Sequence, residues 1–322
     1  MPKKIKIVFM GTPDFAIAPL QALISAENIE VSAVITREDK KVGRKQILSS
    51  PPVKILALQR QIPVLQPPEL KNNPGIVKLI RELKPDFFVV VAYGQILPKE
   101  ILEIPKYCAI NIHGSLLPKY RGASPIEEAL LKGDKETGLT FIKMNKKMDA
   151  GPILHVQRIP IDNEDTSITL RVKMSVIAAT ILPIVIQDYI DEITMPIKQN
   201  KTNATYCHKI SKSDGIVDLF KMTAQEINNC IRAYTPWPGC YLIIKNKKLK
   251  LIEIKIETNK STIKTLKPGQ IIQSVPGQIT IGAKSGAIIP TKVQLEGKNP
   301  MSIQDFLKGN TKLFSESLTS PK

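Results

Sequence analysis

The stretch Ala109-Ile110-Asn111-Ile112-His113-Gly114-Ser115-Leu116-Leu117-Pro118 decides the fold of the first half of this chain. It begins as a short strand that ends at His113-Gly114, and the apolar run at 87–92 is consistent with a fully buried parallel strand. In open α/β sheets, ligands bind beyond the carboxyl ends of the strands. His113 is therefore predicted to lie at the ligand-binding edge of a sheet.

Strands and helices alternate on the amino-terminal side of this stretch. Strands are predicted at 5–10, 31–35 and 63–65, helices at 15–26, 52–61 and 75–83, and a long polar loop at 36–50. This alternation is typical of an α/β protein with a Rossmann-like, doubly wound and mostly parallel sheet.

The turn after the first predicted strand excludes one large class of such proteins. Gly11-Thr12-Pro13-Asp14 stands where a dinucleotide-binding fold carries Gly-x-Gly-x-x-Gly, but only the first glycine is present. Without the other two glycines, a pyrophosphate cannot closely approach the N-terminus of the following helix. We therefore exclude a dehydrogenase that uses a nicotinamide or a flavin.

The second half of the chain has a different pattern. Residues 168–190 form a long predicted helix that Pro183 kinks or splits, and residues 191–205 are polar with little periodicity. Beyond them come several short β-branched segments separated by turn residues, which is typical of a small, OB-like β-barrel. The sequence predicts a first domain at 1–190, a linker at 191–205 and a basic barrel domain at 206–322.

The net charge of +17 is the second clue to function. Residues 201–322 carry 19 Lys and Arg against 8 Asp and Glu, a net charge of +11, whereas the first 200 residues carry 27 against 21, a net charge of +6. A small domain this basic is the expected footprint of a surface that binds a polyanion. The alternative is that codon bias favours lysine as a solvated surface residue, and charge alone leaves both explanations open.

Several other classes of site are not indicated. The four cysteines show no Cys-x-x-Cys spacing, and neither His155 nor His208 has a companion at metal-ligand spacing, so no disulfide framework and no metal is predicted. No apolar run approaches the ~20 residues that span a bilayer, and the run at 5–10 is too short for a signal peptide. We expect a cytoplasmic protein without membrane contact and, because no heptad stands out, a monomer.

Three polar side chains form a candidate reaction centre. Asn111 can donate to a developing oxyanion, His113 can donate or carry a proton, and Asp149 can orient or relay. This set suits the transfer of an acyl group between two nitrogens. The plainer alternatives are a loop histidine bonded to backbone, an amide that caps a turn and an ordinary turn aspartate. The nearby Asn111, the glycine after His113 and the rigid Leu-Leu-Pro favour the reaction centre.

These residues resemble a known family. The stretch 111–125 (NIHGSLLPKYRGASP) resembles the signature of the folate-dependent formyltransferases, and Asp149-Ala150-Gly151-Pro152 resembles their second motif. The likeness extends almost end to end and is greatest to the branch that acts on methionyl-tRNA. The segments that carry it are 8–15, 91–94, 204–206, 209–211, 232–239 and 301–306.

The resemblance implies a reaction and a set of site residues. It implies that 10-formyltetrahydrofolate gives its formyl group to the α-amine of methionine on methionyl initiator tRNA, in the service of translation initiation. By this resemblance, Asn111, His113 and Asp149 are the catalytic residues. The residues expected to bind the folate are Ser115, Leu116, Leu117 and Pro118, and those expected to contact tRNA are Arg44 and Lys45.

Two other functions compete with this expectation. One is a folate-dependent formyltransferase that acts on a small amine, such as an amino sugar nucleotide or glycinamide ribonucleotide; the basic second domain and the Arg44 loop argue against it. The other is a nucleic-acid-binding protein with a decayed enzyme domain, against which the intact catalytic residues argue. Arg121 either holds its own turn in place or meets a phosphate, and Trp237 is interpreted as a structural anchor in preference to a base-stacking platform.

Overall fold

A computed structural model of the chain describes residues 4–43, 46–314 and 317–320, so Arg44 and Lys45 lie outside the described residues. The chain forms two compact units. The first comprises Met1–Pro125, Glu136–Pro160 and Arg171–Cys207, and the second comprises Ile126–Lys135, Ile161–Leu170 and His208–Lys322. Residues 191–205, for which the sequence predicted a linker, belong to the first unit.

The secondary structure alternates through the first half and becomes mainly β in the second. The helices are α1 (Ile17–Ser25), α2 (Pro52–Gln59), α3 (Pro74–Glu82), α4 (Lys99–Leu102), α5 (Pro125–Lys132), α6 (Ser167–Ile190), α7 (Ala224–Tyr234), α8 (Lys260–Thr265) and α9 (Ile303–Asn310). Strands β1 to β9 are Ile5–Gly11, Ile29–Ile35, Lys40–Val42, Ile47–Ser49, Val64–Leu65, Phe87–Val91, Cys108–His113, Arg121–Gly122 and Glu136–Lys143. Strands β10 to β17 are Ile153–Pro160, Tyr206–Cys207, Cys240–Ile244, Lys247–Ile256, Ile271–Val275, Gln278–Gly282, Ala287–Leu295 and Met301–Ser302.

A seven-stranded sheet organises the first unit, in the order β10-β9-β7-β6-β1-β2-β5. The pairs from β7 through β6, β1 and β2 to β5 are parallel, and β9 and β10 add an antiparallel edge. The strand order reverses its direction of growth at β1, as in doubly wound folds. The predicted Rossmann-like, mostly parallel sheet is confirmed.

Strand β6 forms the centre of this core. Its sequence Phe-Phe-Val-Val-Val has no polar face, and every residue from Phe87 to Val91 is at most 5% exposed. Strands covered on both faces require such continuous apolar runs. Burial of each of these side chains contributes about 1.5–3 kcal/mol, which fixes the strand and therefore the position of its carboxyl end.

Helix α6 is one unbroken helix of 24 residues, although Pro183 lies inside it. Among the described residues it is the helix that is long and apolar enough, by length and composition, to cross a membrane, a test that core helices also pass. One face of α6 is fully buried through Met174, Ala178, Leu182 and Ile186. Ser175 on the same helix donates its hydroxyl to the carbonyl of Phe15 at 2.8 Å. The helix therefore packs as part of the protein core.

The predicted loop at 36–50 contains a short hairpin of β3 and β4, which is a correction to the sequence analysis. Asp39 closes its base: the carboxylate accepts from Ser50 Oγ at 3.0 Å, Lys54 Nζ at 2.8 Å and Gln66 Nε2 at 2.8 Å. The hydrogen bond from Gln66 and those from Lys54 and Ser50 lower the pKa of Asp39 to about 2. The root of the segment that includes Arg44 and Lys45 is thus tied to the first unit.

The second unit is built on an antiparallel sheet in the order β12-β13-β16-β15-β14, with β17 paired to β16. Helix α7 begins with a capping box, in which the Thr223 side chain accepts from the Glu226 N–H and Glu226 accepts from the Thr223 N–H. Arg232 on α7 donates to the carbonyls of Asp165 and Asp162, both at 2.7 Å. The short strands predicted for the second domain are confirmed, and they pair in an antiparallel sheet.

Candidate active site

Strand β7 presents two of the predicted catalytic residues at the carboxyl edge of the sheet. Asn111 pairs with Val90 of β6, and His113 is the last residue of β7. Because side chains two positions apart share a face of a strand, Asn111 and His113 point to the same side, about 7 Å apart along it. The ends of β1 and β6 lie at this same edge, since all three strands are parallel.

The imidazole of His113 is buried, with 6% exposure, and is held by the backbone. Its Nε2 lies 2.9 Å from the carbonyl oxygen of Tyr120. A carbonyl can only accept, so Nε2 carries a hydrogen and donates it, and Nδ1 is the ring nitrogen outside this bond. Nδ1 faces Asp149 Oδ1 at 3.7 Å, which is longer than a hydrogen bond. The Tyr120 carbonyl therefore orients the ring, and Asp149 faces its Nδ1.

Asp149 reaches this position from the turn between β9 and β10. Its Oδ2 accepts from the backbone N–H of Gly122 at 2.9 Å, which leaves Oδ1 towards the imidazole. The residue has a left-handed backbone, with φ of 50°, which costs a residue with a Cβ of order 1 kcal/mol or more. Two residues later, a Cβ on Gly151 would collide with the carbonyl of Lys143, so the turn requires glycine there.

Asn111 is the third member of the group. Its side chain is half-buried, and within the part of the chain that the structure describes its amide makes no hydrogen bond. The amide is therefore available to an incoming oxygen and does not cap a turn. The structure thus places His113 and Asp149 face to face and Asn111 on the same strand face as His113.

The segment predicted to bind the folate divides into buried and accessible residues. Ser115 is fully buried, donates its hydroxyl to the Lys119 carbonyl at 2.6 Å, and accepts at its own carbonyl from Thr140. Leu117 is also buried, at 6% exposure, and precedes a cis peptide bond to Pro118. Leu116 and Pro118 are half-buried. Direct contact with a ligand is therefore open to Leu116 and Pro118, whereas Ser115 and Leu117 hold the segment in shape.

Residues that the sequence analysis missed support this group. Thr205 accepts the Tyr120 N–H at its hydroxyl (2.9 Å) and the Arg121 N–H at its carbonyl (2.9 Å), which fixes the carbonyl that orients His113. Gln199 accepts from the Arg121 guanidinium, which is 5% exposed. Arg121 therefore stabilises its own turn, and its guanidinium is not free to bind a phosphate. The Tyr120 and Gly122 contributions are backbone groups and leave no side-chain signal, whereas Thr205 lay within a segment already noted for its resemblance.

Two other titratable side chains near the sheet, Cys108 and Tyr93, are held in their neutral forms. Burial raises the pKa of the Cys108 thiol to about 11 and that of the Tyr93 phenol to about 12, so both are neutral at physiological pH. A thiol of that pKa is a poor nucleophile, because the thiolate is the reactive form. Across residues 4–43, 46–314 and 317–320 no group of three or more His, Cys, Asp or Glu side chains is arranged to hold a metal ion.

The ligand-binding edge of this Rossmann-like unit carries an available amide, a backbone-held imidazole and a facing carboxylate. These features define a class of enzymes that transfer acyl groups without a covalent enzyme intermediate. Comparison with known proteins narrows this class. A family model described as Formyl transferase matches residues 3–186, and one described as Formyl transferase, C-terminal domain, matches residues 209–311. The chain belongs to the formyl transferase family.

Two similar relatives of this chain carry the same name. It is similar to a methionyl-tRNA formyltransferase of Caldicellulosiruptor saccharolyticus, with 43% identity over 94% of this chain and 96% of the relative. It is also 43% identical to the methionyl-tRNA formyltransferase of Ehrlichia canis, over 95% of this chain and 97% of that one.

Solved structures support the fold. The N-formyltransferase of Helicobacter canadensis, in complex with folinic acid and dTDP-3-aminofucose, superposes with a TM-score of 0.65 at 22% identity, covering 88% of this chain and 98% of its own. A sugar 3N-formyl transferase, crystallised in the presence of dTDP and 5-N-formyl-THF, gives a TM-score of 0.64 at 24% identity over 92% of this chain and 99% of its own.

Proposed function

We propose that this protein transfers a formyl group from 10-formyltetrahydrofolate to the α-amine of methionine esterified to initiator tRNA. The observation that carries the proposal is the meeting of His113 Nδ1 and Asp149 Oδ1 on the strand face that also presents Asn111. Membership of the formyl transferase family supports formyl as the group that is transferred. The name shared by relatives with 43% identity supports methionyl-tRNA as the acceptor.

The proposed chemistry gives each of the three residues a role. The α-amine attacks the formyl carbon, and Asn111 donates its amide N–H to the oxygen that becomes negatively charged. His113, held by Tyr120 through Nε2, exchanges a proton at Nδ1, the side that faces Asp149. As the bond from the formyl carbon to N10 of the donor breaks, one proton leaves the amine and one is delivered to N10. His113 serves this delivery or donates to the oxyanion, and Asp149 stabilises the imidazolium whenever Nδ1 is protonated.

The groups around the catalytic residues suit a folate donor. Leu116 and Pro118 offer half-buried apolar surface next to His113, which fits the flat pterin ring. The proposed proton chemistry uses no thiolate. This agrees with the Cys108 thiol, which burial keeps neutral by raising its pKa.

For the acceptor, we propose that the second unit binds the tRNA backbone. Residues 201–322, most of which belong to that unit, carry a net charge of +11, and phosphate contacts of Lys and Arg give affinity that depends on salt. Arg44 and Lys45, which follow the anchored hairpin strand β3, are proposed to meet the acceptor end. Because charged initiator tRNA is used by ribosomes, we further propose that the protein acts in the cytoplasm. We also propose that it acts as a monomer.

A comparison of acceptors tests the proposal. The chain is given 10-formyltetrahydrofolate with methionyl initiator tRNA, methionyl elongator tRNA or an amino sugar nucleotide at equal concentration. We expect formylation mainly of the initiator tRNA. Formylation of the amino sugar nucleotide alone would refute the proposal and favour the small-amine alternative, which the fold of the sugar formyltransferases leaves open.

A further inference from the structure

The Gln199 side chain joins the Asp149 turn to Arg121 by hydrogen bonds at both ends of its amide. Its Nε2 donates to the carbonyl of Asp149 at 2.9 Å and to the carbonyl of Gly151 at 2.7 Å. Its Oε1 accepts from Arg121 Nε at 3.2 Å and from Nη2 at 2.6 Å. Both ends of the amide are therefore used, in the only orientation that matches acceptors to donors.

The turn at 149–151, to which Gln199 donates two hydrogen bonds, has a backbone that must be held in place. Asp149 has φ of 50°, a conformation that persists only where the surroundings impose it. Its carboxylate must also reach between the Gly122 N–H and His113 Nδ1. Bonds to the carbonyls of Asp149 and Gly151 fix the peptide planes that follow these two residues, and so fix the direction of the Asp149 side chain.

The other end of the amide is anchored to the elements that hold His113. Arg121 follows Tyr120, whose carbonyl orients the imidazole, and precedes Gly122, whose N–H holds Asp149 Oδ2. The Arg121 guanidinium is buried, so it is a fixed point and not a mobile surface charge. Gln199 thus connects the residues that position His113 to the turn that positions Asp149.

We infer that Gln199 is a positioning residue, which sets the Asp149 carboxylate at its distance from His113 Nδ1. This inference rests on the proposed role of Asp149 in formyl transfer. Gln199 acts only through Asp149 and makes no contact of its own with the amine or the formyl donor. Its loss therefore lowers turnover and leaves the binding of both substrates intact.

Two substitutions separate the two ends of the amide. Gln199→Glu keeps the partner of Arg121 but removes the N–H donors to the turn, and Gln199→Ala removes both ends. A misplacement of about 1 Å costs roughly 10²-fold in rate, so we expect kcat to fall by about tenfold to a hundredfold in either variant, with both KM values within about twofold. The matched control is Asn203→Ala, an exposed amide four residues further along the chain that bonds to Thr202 Oγ1; its kcat should be unchanged.

A double-mutant cycle identifies the route of the effect. If Gln199 acts through Asp149, adding Gln199→Glu to Asp149→Asn should lower kcat by less than about threefold further, because coupled residues are not additive. Hydrogen–deuterium exchange gives a reading independent of activity: Gln199→Glu should speed exchange in the peptide that contains 149–151, and Asn203→Ala should not.

Three results would overturn the inference. They are a kcat of Gln199→Glu within twofold of the unaltered chain, a full additional loss of kcat in the Asp149→Asn background, and a loss that falls on KM with kcat preserved. The cycle is run with whichever amine the unaltered chain formylates. A failure of the tRNA assignment is therefore seen in the acceptor comparison, and a failure of the positioning role is seen in the kinetics of the Gln199 variants and in the cycle.

Discussion

Replacement of Asn111 by alanine should separate catalysis from stability. Most buried amides serve the fold, and their removal leaves partners unsatisfied at about 1–3 kcal/mol each. The Asn111 amide has no hydrogen-bond partner among the residues that the structure describes and is half-buried, so its removal leaves no orphaned group. The free energy of unfolding should therefore change by less than about 1 kcal/mol.

The loss in rate should be much larger than the loss in stability. If Asn111 donates to the oxyanion, Asn111→Ala removes one preorganised donor, which typically costs about 10²–10³ in kcat, or about 2.7–4 kcal/mol of transition-state stabilisation. Asn111→Asp has nearly the same shape but puts an acceptor where a donor is needed, so its loss should be at least as large.

The assay is steady-state formylation of methionyl initiator tRNA at saturating folate, together with thermal unfolding of each variant. We expect a large fall in kcat, small changes in KM and a nearly unchanged Tm. A kcat of Asn111→Ala within fivefold of the unaltered chain would refute the oxyanion role. A Tm that falls by more than about 8 °C would show that the amide serves the fold.

Three further substitutions, one of them with a matched control, test other parts of the proposed mechanism. His113→Ala should lower kcat by about 10²–10⁴, the usual size of an acid–base contribution, and turnover within about twofold would contradict the proton role. Gly151→Ala should lower both Tm and kcat, because its Cβ meets the Lys143 carbonyl, whereas Gly309→Ala in helix α9, with open space around it, should leave both unchanged or raise Tm. Arg44→Ala should raise KM for charged tRNA more than KM for the folate, and equal effects on the two would argue against the assigned tRNA contact.

The central sheet could be predicted because its strands carry a strong local signal. Strand β6 is a continuous apolar run and β1 is apolar from Ile7 to Met10, and their predicted positions agree with the structure to within a residue or two. Strand β9 was missed because Glu136–Lys143 has neither clean alternation nor a continuous β-branched run, although most of it is buried. Its place beside β7 is a tertiary property, set by pairs such as His113 with Thr140.

Helix α6 and the hairpin of β3 and β4 show the limits of reading local signals. Pro183 in an isolated helix would cost about 3 kcal/mol, but burial of neighbours such as Leu182 and Ile186 offsets that cost and keeps α6 continuous. The hairpin is polar along β3, so its composition predicts a loop, and its ends are joined through Asp39, a single residue without a distinctive pattern.

The candidate site was predictable in its side chains and not in its supports. Asn111, His113 and Asp149 stood out because amide, imidazole and carboxylate are the groups that acyl transfer needs. The Tyr120 carbonyl and the Gly122 N–H are backbone groups, which every residue has. Gln199 lies 50 residues from Asp149 in a polar segment without periodicity, so only the folded chain brings them together. The Trp237 side chain is 53% exposed, and its interpretation as a structural anchor stays a prediction.

The most direct test of the central claim is to locate the transferred atom. The chain is incubated with 10-formyltetrahydrofolate that carries ¹³C in its formyl group and with methionyl initiator tRNA, and the amino acid is released and analysed by mass spectrometry. The account predicts ¹³C-formyl on the α-amine of methionine, made by the unaltered chain and strongly reduced with Asn111→Ala. Methionine without label, in the presence of active folded protein, would contradict it.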